Sequence, residues 1–382
     1  MFKNFLKILL KQFKKNWVFK RYPKKKILIL DKAIELNLEN DFFQLPKNEI
    51  NFLLILELIF HKIFFNKDLK KLGINDCYYK ILIKKIDPKI MIGHECDLIT
   101  FKSKKFFPEK ILIMFQFATY CEIYKSAAKK RHLNHMGLKE GKIKVDYFCI
   151  YDEWHKSFFD YYDTEFIITG SVKNNSIYSK DKIKKKDIML ISEFRTKVKS
   201  YHGTNNNVAT MRLADVCISY LSKIIYEYCN EKQKNFSVAL VSNRKDKKYK
   251  DKNFKKDEIE FFKRDIANFN EENVDSISLA EETELVICLT SNLGNELISR
   301  GKKVLFLNIH YFVLPWYFLP NKSGPFWYQG QDKEIIKEKI NYLLNLSDEN
   351  WKKTLEENKF IMKFDPENKI LKNKIKYLLK II

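Results

Sequence analysis

Glycine and proline are scarce in these 382 residues, ten and eight respectively. That scarcity excludes a collagen-like repeat, long flexible linkers and a glycine-rich phosphate loop. The seven cysteines contain no CxxC pair, which speaks against a zinc ribbon or a disulfide framework. No apolar run reaches the roughly 18 residues of a membrane span. No GxSxG or Cys-His nucleophile signature is present. Arginine is rare as well: Arg21, Arg131, Arg195, Arg212, Arg244, Arg264 and Arg300 are all of it, and the other 64 basic residues are lysine. Lys, Asn, Ile, Phe and Tyr abound together, a bias that A+T-rich coding DNA alone produces. The formal charge of +23 is therefore discounted as a nucleic-acid signal, and no specific nucleic-acid partner is expected. What remains is the profile of a folded chain, 45% hydrophobic and 31% charged. The length fits two to three domains.

The charge is concentrated at one end. Residues 1–26 hold ten basic side chains and no acid, the first acid being Asp31. Phe2, Phe5, Leu6, Leu9, Leu10, Phe13 and Trp17 recur there at helical spacing, with Lys3, Lys7, Lys11, Lys14 and Lys15 mostly on the other side. Such a basic amphipathic helix suits an anionic membrane surface, its aromatics buried and its lysines at the headgroups. The competing reading is a helix packed on the protein's own core. A signal peptide fits poorly, because lysine interrupts the apolar stretch and no small-residue cleavage site follows. Residues 50–65 are very apolar but contain Glu57, His61 and Lys62, so they read as a buried helix.

Short apolar runs then alternate with helical stretches. Ile27–Asp31 reads as a buried parallel strand that delivers Asp31 to the rim of a sheet. Further strands are expected at 89–92, 111–115, 147–150 and 166–169, with helices near 119–130 and 153–161 between them. The second half repeats the rhythm, with strands at 188–192, 237–241, 285–289 and 304–307 and helices at about 207–230 and 294–300. The C-terminal portion reads as helical, with Ser347 as an N-cap. The pattern predicts an α/β fold of two doubly wound halves joined near 170–175. The expected division is a membrane-surface segment at 1–26, a first Rossmann-like domain at 27–170, a second at 171–330, and helices at 331–382 that pack back on the domains. The charge run at 243–257 reads as a solvated loop.

The most informative stretch is 285–308. An apolar strand runs into Thr290, Ser291, Asn292, Leu293 and Gly294, then a short helix bearing Glu296, then Arg300-Gly301 and another strand. Hydroxyls and amides at a helix N-terminus suit phosphate oxygens. Gly294 allows close approach to the backbone, and a carboxylate in the first turn can hold a ribose diol. A capped helix with no ligand is the competing reading.

These residues resemble the C-terminal donor-site loop of GT-B glycosyltransferases, and more closely the surface carbohydrate or O-antigen biosynthesis transferases. Those have a Ser-Thr-Leu-Gly-Tyr-Glu stretch followed by Arg-Gly-Lys-Lys; here Ser-Asn-Leu-Gly-Asn-Glu stands at 291–296 and Arg-Gly-Lys-Lys at 300–303. A second similarity runs from Val145 to the Gly-Ser-Val-Lys-Asn-Asn passage at 170–175, which includes Ser171. A third is Ser-Glu-Phe-Arg at 192–195. The likeness spans roughly 85–310. In the first half, where the family has Asp-Asn and Gln-Asn-Gly, only Asp97 and Gln116 match. The resemblance implies a GT-B-like pair of Rossmann-like domains facing a cleft, and no metal dependence.

An inverting sugar transferase needs a general base within reach of the acceptor hydroxyl. His94, Glu95 and Asp97, at the end of a strand, are the candidates, Asp97 first and Glu95 second; the competing role is helix capping. His94 and Cys96 have no partner at recognisable metal-ligand spacing, so no metal site is expected. Arg195 and Arg244 follow apolar strands and can neutralise a departing diphosphate; surface pairing is the alternative. The leading expectation is a glycosyltransferase of surface polysaccharide assembly. It would take a nucleotide-sugar as co-substrate, with no permanently bound cofactor, and a glycan or lipid-linked acceptor. It would work in the cytoplasm, peripherally on the inner face of the membrane. The alternatives are a polyol-phosphate transferase with a CDP-linked donor and a non-catalytic membrane-surface accessory protein.

Overall fold

The computed structural model describes residues 16–31, 34, 36, 38, 41–45, 49–60, 72–120, 125–176, 185–194, 206–243, 252–269, 271–309, 322–358 and 361–381. The chain forms two units. The first comprises residues 1–119, 123–177 and 363–382, and the second 120–122 and 178–362.

In the first unit the chain forms β1 (Asn16–Val18), β2 (Ile27–Ile29), β3 (Phe42–Gln44), β4 (Glu49–Asn51), β5 (Ile90–His94), β6 (Ile111–Phe115), β7 (Ile143–Ile150) and β8 (Tyr162–Ile168). Six of these make one sheet in the order β3-β2-β5-β6-β7-β8, parallel throughout. β1 and β4 form a separate parallel pair. The central strands are continuous apolar runs because both of their faces are covered. Ile27 to Leu30, Ile90 to Ile92 and Leu112 to Phe115 are all buried. The chain runs from β2 outward to β3 and then returns to the other side of β2 as β5, so the strand order reverses between β2 and β5.

The second unit is built the same way from β9 (Lys186–Ile191), β10 (Phe236–Ala239), β11 (Thr283–Cys288), β12 (Lys303–Leu307), β13 (Ser323–Gly324) and β14 (Trp327–Tyr328). Their order is β10-β9-β11-β12-β14-β13, parallel except for the β13–β14 pair. Here the order reverses between β9 and β11. Both units are Rossmann-like, so the expected fold class is the observed one. All nine strands expected from sequence are present.

The helices differ in detail. Trp17, counted above on a helical face, lies in β1, where parallel pairing with Ile50 of β4 sets an extended backbone. Residues 1–15, the rest of that proposed helix, lie outside the described residues. The apolar stretch at 50–65 is helical over Phe52–Phe60 and buries only one side. The charge run at 243–257 is not all loop: a helix begins at Lys252 and buries Phe254, Phe261 and Phe262. Ser347 does cap its helix, accepting the Asn350 amide at 3.2 Å.

After the helices Lys333–Asn345 and Asp348–Glu357, the chain returns to the first unit. Gly170 makes that return possible. Its φ is +71°, and a Cβ there would lie 1.8 Å from the Lys363 carbonyl oxygen. Asn175 accepts the Asp365 amide at 3.1 Å and donates to Asn368 Oδ1 at 3.1 Å. Asn368 Nδ2 in turn donates to the Val172 carbonyl and to Ser176 Oγ, both at 2.9 Å. The helix Lys369–Ile381 then buries Leu371, Ile375 and Leu378 against the first sheet's core.

Candidate functional site

In open α/β sheets, ligands bind beyond the carboxyl ends of strands where the strand order reverses. Each unit has one such point, and each holds buried acidic groups.

In the first unit the reversal lies between the ends of β2 and β5. Asp31, just past β2, is 6% exposed. His94 ends β5, and its Nε2 lies 3.8 Å from Asp31 Oδ2. The Cys96 amide donates to His94 Nδ1 at 3.1 Å, which leaves the ring proton on Nε2, facing the carboxylate. Phe117 stacks on the imidazole, with centroids 4.7 Å apart. Glu95 is fully buried and accepts the Phe117 amide through both oxygens, at 3.1 and 2.9 Å. It thereby ties the loop after β6 to the end of β5. Asp97 is half-buried and caps the helix Leu98–Phe106, accepting the Ile99 amide at 3.1 Å. The three candidate bases are thus gathered at one strand end with Asp31, but in different states. Gln116 is buried and spans two segments, accepting the Tyr151 amide at 3.0 Å and donating to the Ala118 carbonyl at 2.8 Å. Ser171 caps the short helix Val172–Asn175.

A polar cluster extends from this site. Arg131 Nη2 donates to Cys96 Sγ at 3.8 Å and to His132 Nε2 at 3.2 Å. His132 Nδ1 meets the hydroxyls of Tyr161 and Tyr162 at 3.1 and 2.9 Å. Burial, with Arg131 beside it, pushes the His132 pKa down to about 3, so the ring is neutral. Burial raises the pKa of both tyrosines.

One group of metal-ligand type occurs among the described residues. His94, Glu95 and Cys96 each offer an atom within 4.8 Å of the others. Its members are turned to protein donors, however, and the Arg131 guanidinium beside Cys96 opposes a cation there.

In the second unit the reversal lies between β9 and β11. Glu193, past the end of β9, is 3% exposed. It accepts the Thr290 amide at 2.6 Å through one oxygen and the Thr290 hydroxyl through the other. This pair spans the reversal point and fixes the loop after β11. Ser291 caps the helix Asn292–Ser299, accepting the Leu293 amide at 3.3 Å, and its carbonyl takes the Gly294 amide at 3.0 Å. The donor groups of Thr290 are therefore committed to Glu193. Asn292 stands at the positive end of the helix, with the half-buried Glu296 one turn on. Gly294 answers to packing: a Cβ would lie 2.4 Å from Cys288 Sγ and 3.0 Å from Phe306 Cε1, so its absence seats the helix on β11 and β12. Burial lowers the Arg300 pKa, while Glu296 and Glu281 act to raise it. Glu258, also fully buried, accepts from Ser192 Oγ at 2.6 Å and from the amides of Val241 and Ser242 at 2.8 and 2.9 Å. Arg195 and Arg244, expected to meet phosphate, lie outside the described residues.

Sequence reasoning assigned no role to Asp31 or Glu193. The two share one signal, an acid within two residues of the end of an apolar strand.

A family model described as "putative O-antigen biosynthesis protein" matches residues 124–379, two thirds of the chain. His94, Glu95, Asp97 and Gln116 precede that match. No curated protein matches. Among solved structures, a "putative UDP-N-acetylglucosamine 2-epimerase" from Listeria monocytogenes is similar at 13% identity, covering 94% of this chain and 98% of the other with a TM-score of 0.56. UDP-GlcNAc 2-epimerase from Neisseria meningitidis, bound to UDP-GlcNAc, is similar at 13% identity, 93% and 99% coverage and a TM-score of 0.51. A UDP co-structure of MnaA from S. aureus is similar at 14% identity, 94% and 98% coverage and a TM-score of 0.51. At these identities the likeness is one of fold. It extends over both units.

Proposed function

The chain belongs to the family of O-antigen biosynthesis proteins, and from that premise we propose that it is a glycosyltransferase of surface polysaccharide assembly. The observation that carries this reading is the loop at the reversal point of the second sheet, held by Glu193 and followed by the helix Asn292–Ser299. A nucleotide-sugar binds there. The helix N-terminus and Asn292 serve the diphosphate, and Glu296 holds the ribose diol. Arg195 neutralises the charge that develops on the departing nucleotide. The nucleotide-sugar complexes of similarly folded proteins support this class of ligand.

In the first unit Asp97 is the proposed base. Glu95 is fully buried and committed to the Phe117 amide, whereas Asp97 is half-buried. Asp97 takes the proton of the acceptor hydroxyl as the oxygen bonds to the anomeric carbon. The bond from that carbon to the nucleotide diphosphate breaks, and its electron pair leaves with the diphosphate. The acceptor is a glycan or lipid-linked saccharide at the inner face of the cytoplasmic membrane, where the basic residues 1–26 hold the enzyme.

A second reading is favoured by the fold likeness across nearly whole chains: epimerisation of a nucleotide-sugar without an acceptor. Calorimetry with UDP-, GDP-, CMP- and CDP-linked donors, followed by mass spectrometry with membrane extract as acceptor, tests both. Transfer predicts a glycosylated acceptor and free nucleotide. Asp97→Asn, which preserves the helix cap, should abolish transfer and leave donor binding intact. Glu296→Ala should weaken donor binding at least about tenfold, the loss of one strong hydrogen-bonding group. Turnover unchanged in both variants overturns the assignment, and a new sugar epimer formed without acceptor supports the second reading.

A further inference from the structure

The helix Phe52–Phe60 has the sequence FLLILELIF, apolar at every position except Glu57. An ordinary surface helix has one apolar stripe and one polar face. This one has two apolar faces. Leu54, Ile55 and Leu58 are 2%, 8% and 1% exposed and fill the inward side. Leu53, Leu56 and Phe60 are 41%, 48% and 53% exposed. Their spacing puts them on one outward stripe. Phe19, 71% exposed, continues the surface, with its ring 4.9 Å from that of Phe52. Single exposed apolar residues are ordinary, but a contiguous set of large ones marks an interaction surface.

Charge says what kind. The helix's one acid, Glu57, is neutralised by Lys85 at 2.7 Å. The segment leading away from Phe19 presents exposed Arg21 and Lys24, while Lys20 and Lys26 pair with Glu49 and Asp41 at 2.7 and 3.4 Å. Residues 1–15, just before β1, add five lysines and no acid to the sequence at this point. Apolar side chains next to a segment with a surplus of basic residues complement a layer of anionic headgroups over acyl chains. Nine residues of helix are about 13 Å long, less than half the hydrocarbon thickness, so the element can lie in the interface but not cross it. Among the described residues no helix is long and apolar enough to span a membrane.

We propose that the outward stripe Leu53–Leu56–Phe60, with Phe19 beside it, docks the first unit onto an anionic lipid surface. This deepens the membrane part of the function proposed above and is independent of the sugar chemistry. It adds a structured, preformed contact to the basic residues that precede it.

The test is cosedimentation of the full chain with phosphatidylcholine vesicles, with and without phosphatidylglycerol. The parent should bind the anionic vesicles, and salt should weaken that binding. The double variant Leu56→Ser with Phe60→Ser should lower partitioning about tenfold or more. Leu56 and Phe60 are 48% and 53% exposed and lie in the first unit, so the variant should keep the parent's affinity for nucleotide-sugar, with only a modest fall in its thermal unfolding. Arg21→Glu with Lys24→Glu should weaken the preference for phosphatidylglycerol. Equal vesicle binding by parent and serine variant overturns the proposal. So does a lipid-free dimer that the serine variant dissociates, which makes the stripe a contact between copies. So does protection of residues 1–15 from protease in the lipid-free parent but not in the serine variant, which makes the stripe their own packing site. Loss of nucleotide-sugar binding with vesicle binding intact would overturn only the catalytic reading.

Discussion

At the scale of single residues, space and protonation decide more than residue type. Gly294 sits in the Ser-Asn-Leu-Gly-Asn-Glu stretch, yet its own place is fixed by Cys288 and Phe306 pressing where a side chain would start. Gly294→Ala should destabilise the second unit by about 1–3 kcal/mol through overpacking, seen as a lower urea midpoint. His132 offers a test by acid. Its folded pKa of about 3 lies below the ordinary 6.5, so the unfolded chain takes up the proton first as pH falls. The stability tied to the neutral ring is complete above about 6.5 and drains away between there and about 3. The loss should be on the order of a few kcal/mol over that window. Urea unfolding at pH 7 and pH 5 should show a steeper decline for the parent than for His132→Gln. The carboxylates Glu95 and Glu193 repeat one device in the two units, each binding an amide in the loop of the neighbouring parallel strand. Their types were visible in the sequence. That their oxygens are already engaged was not, because it depends on which strand becomes the neighbour.

At the scale of elements, the strands were the legible part. Runs such as Ile27–Leu30 and Leu285–Leu289 are apolar at every position because both faces of a central parallel strand are covered, and that leaves a clear mark in the sequence. Short edge pieces such as β3, with each residue only half-buried, leave none. The helix starting at Lys252 was hidden because its charges outnumber its apolar residues, although Phe254, Phe261 and Phe262 are what it buries. The helix Phe52–Phe60 misled in the opposite direction: its composition signals burial, yet Leu53, Leu56 and Phe60 are exposed. The asparagine passage at 174–175 was recognised as a motif, but its partner was unreadable, since Asn368 lies 193 positions from Asn175. Asn368→Ala removes both Nδ2 donations and the acceptor for Asn175 Nδ2. It should cost about 1–3 kcal/mol. Hydrogen exchange should then show faster opening of the helix Lys369–Ile381 than of any helix in the second unit.

At the scale of the whole molecule, two consecutive α/β halves were readable from the alternation of runs, and the family match covers both sides of the junction. The path of the chain is less simple than the alternation suggests, because residues 363–382 count with the opening half. A ribosome makes the chain in one direction, so this arrangement imposes an order of completion. The second unit can close as soon as residue 362 has cleared the exit tunnel. The first, although translated earlier, must wait for Asn368 and the helix after it before Asn175 is paired and its sheet is covered. Until then its half-finished α/β fold is the portion of the nascent polypeptide most in need of a chaperone, and a late frameshift would injure the part of the protein synthesised first.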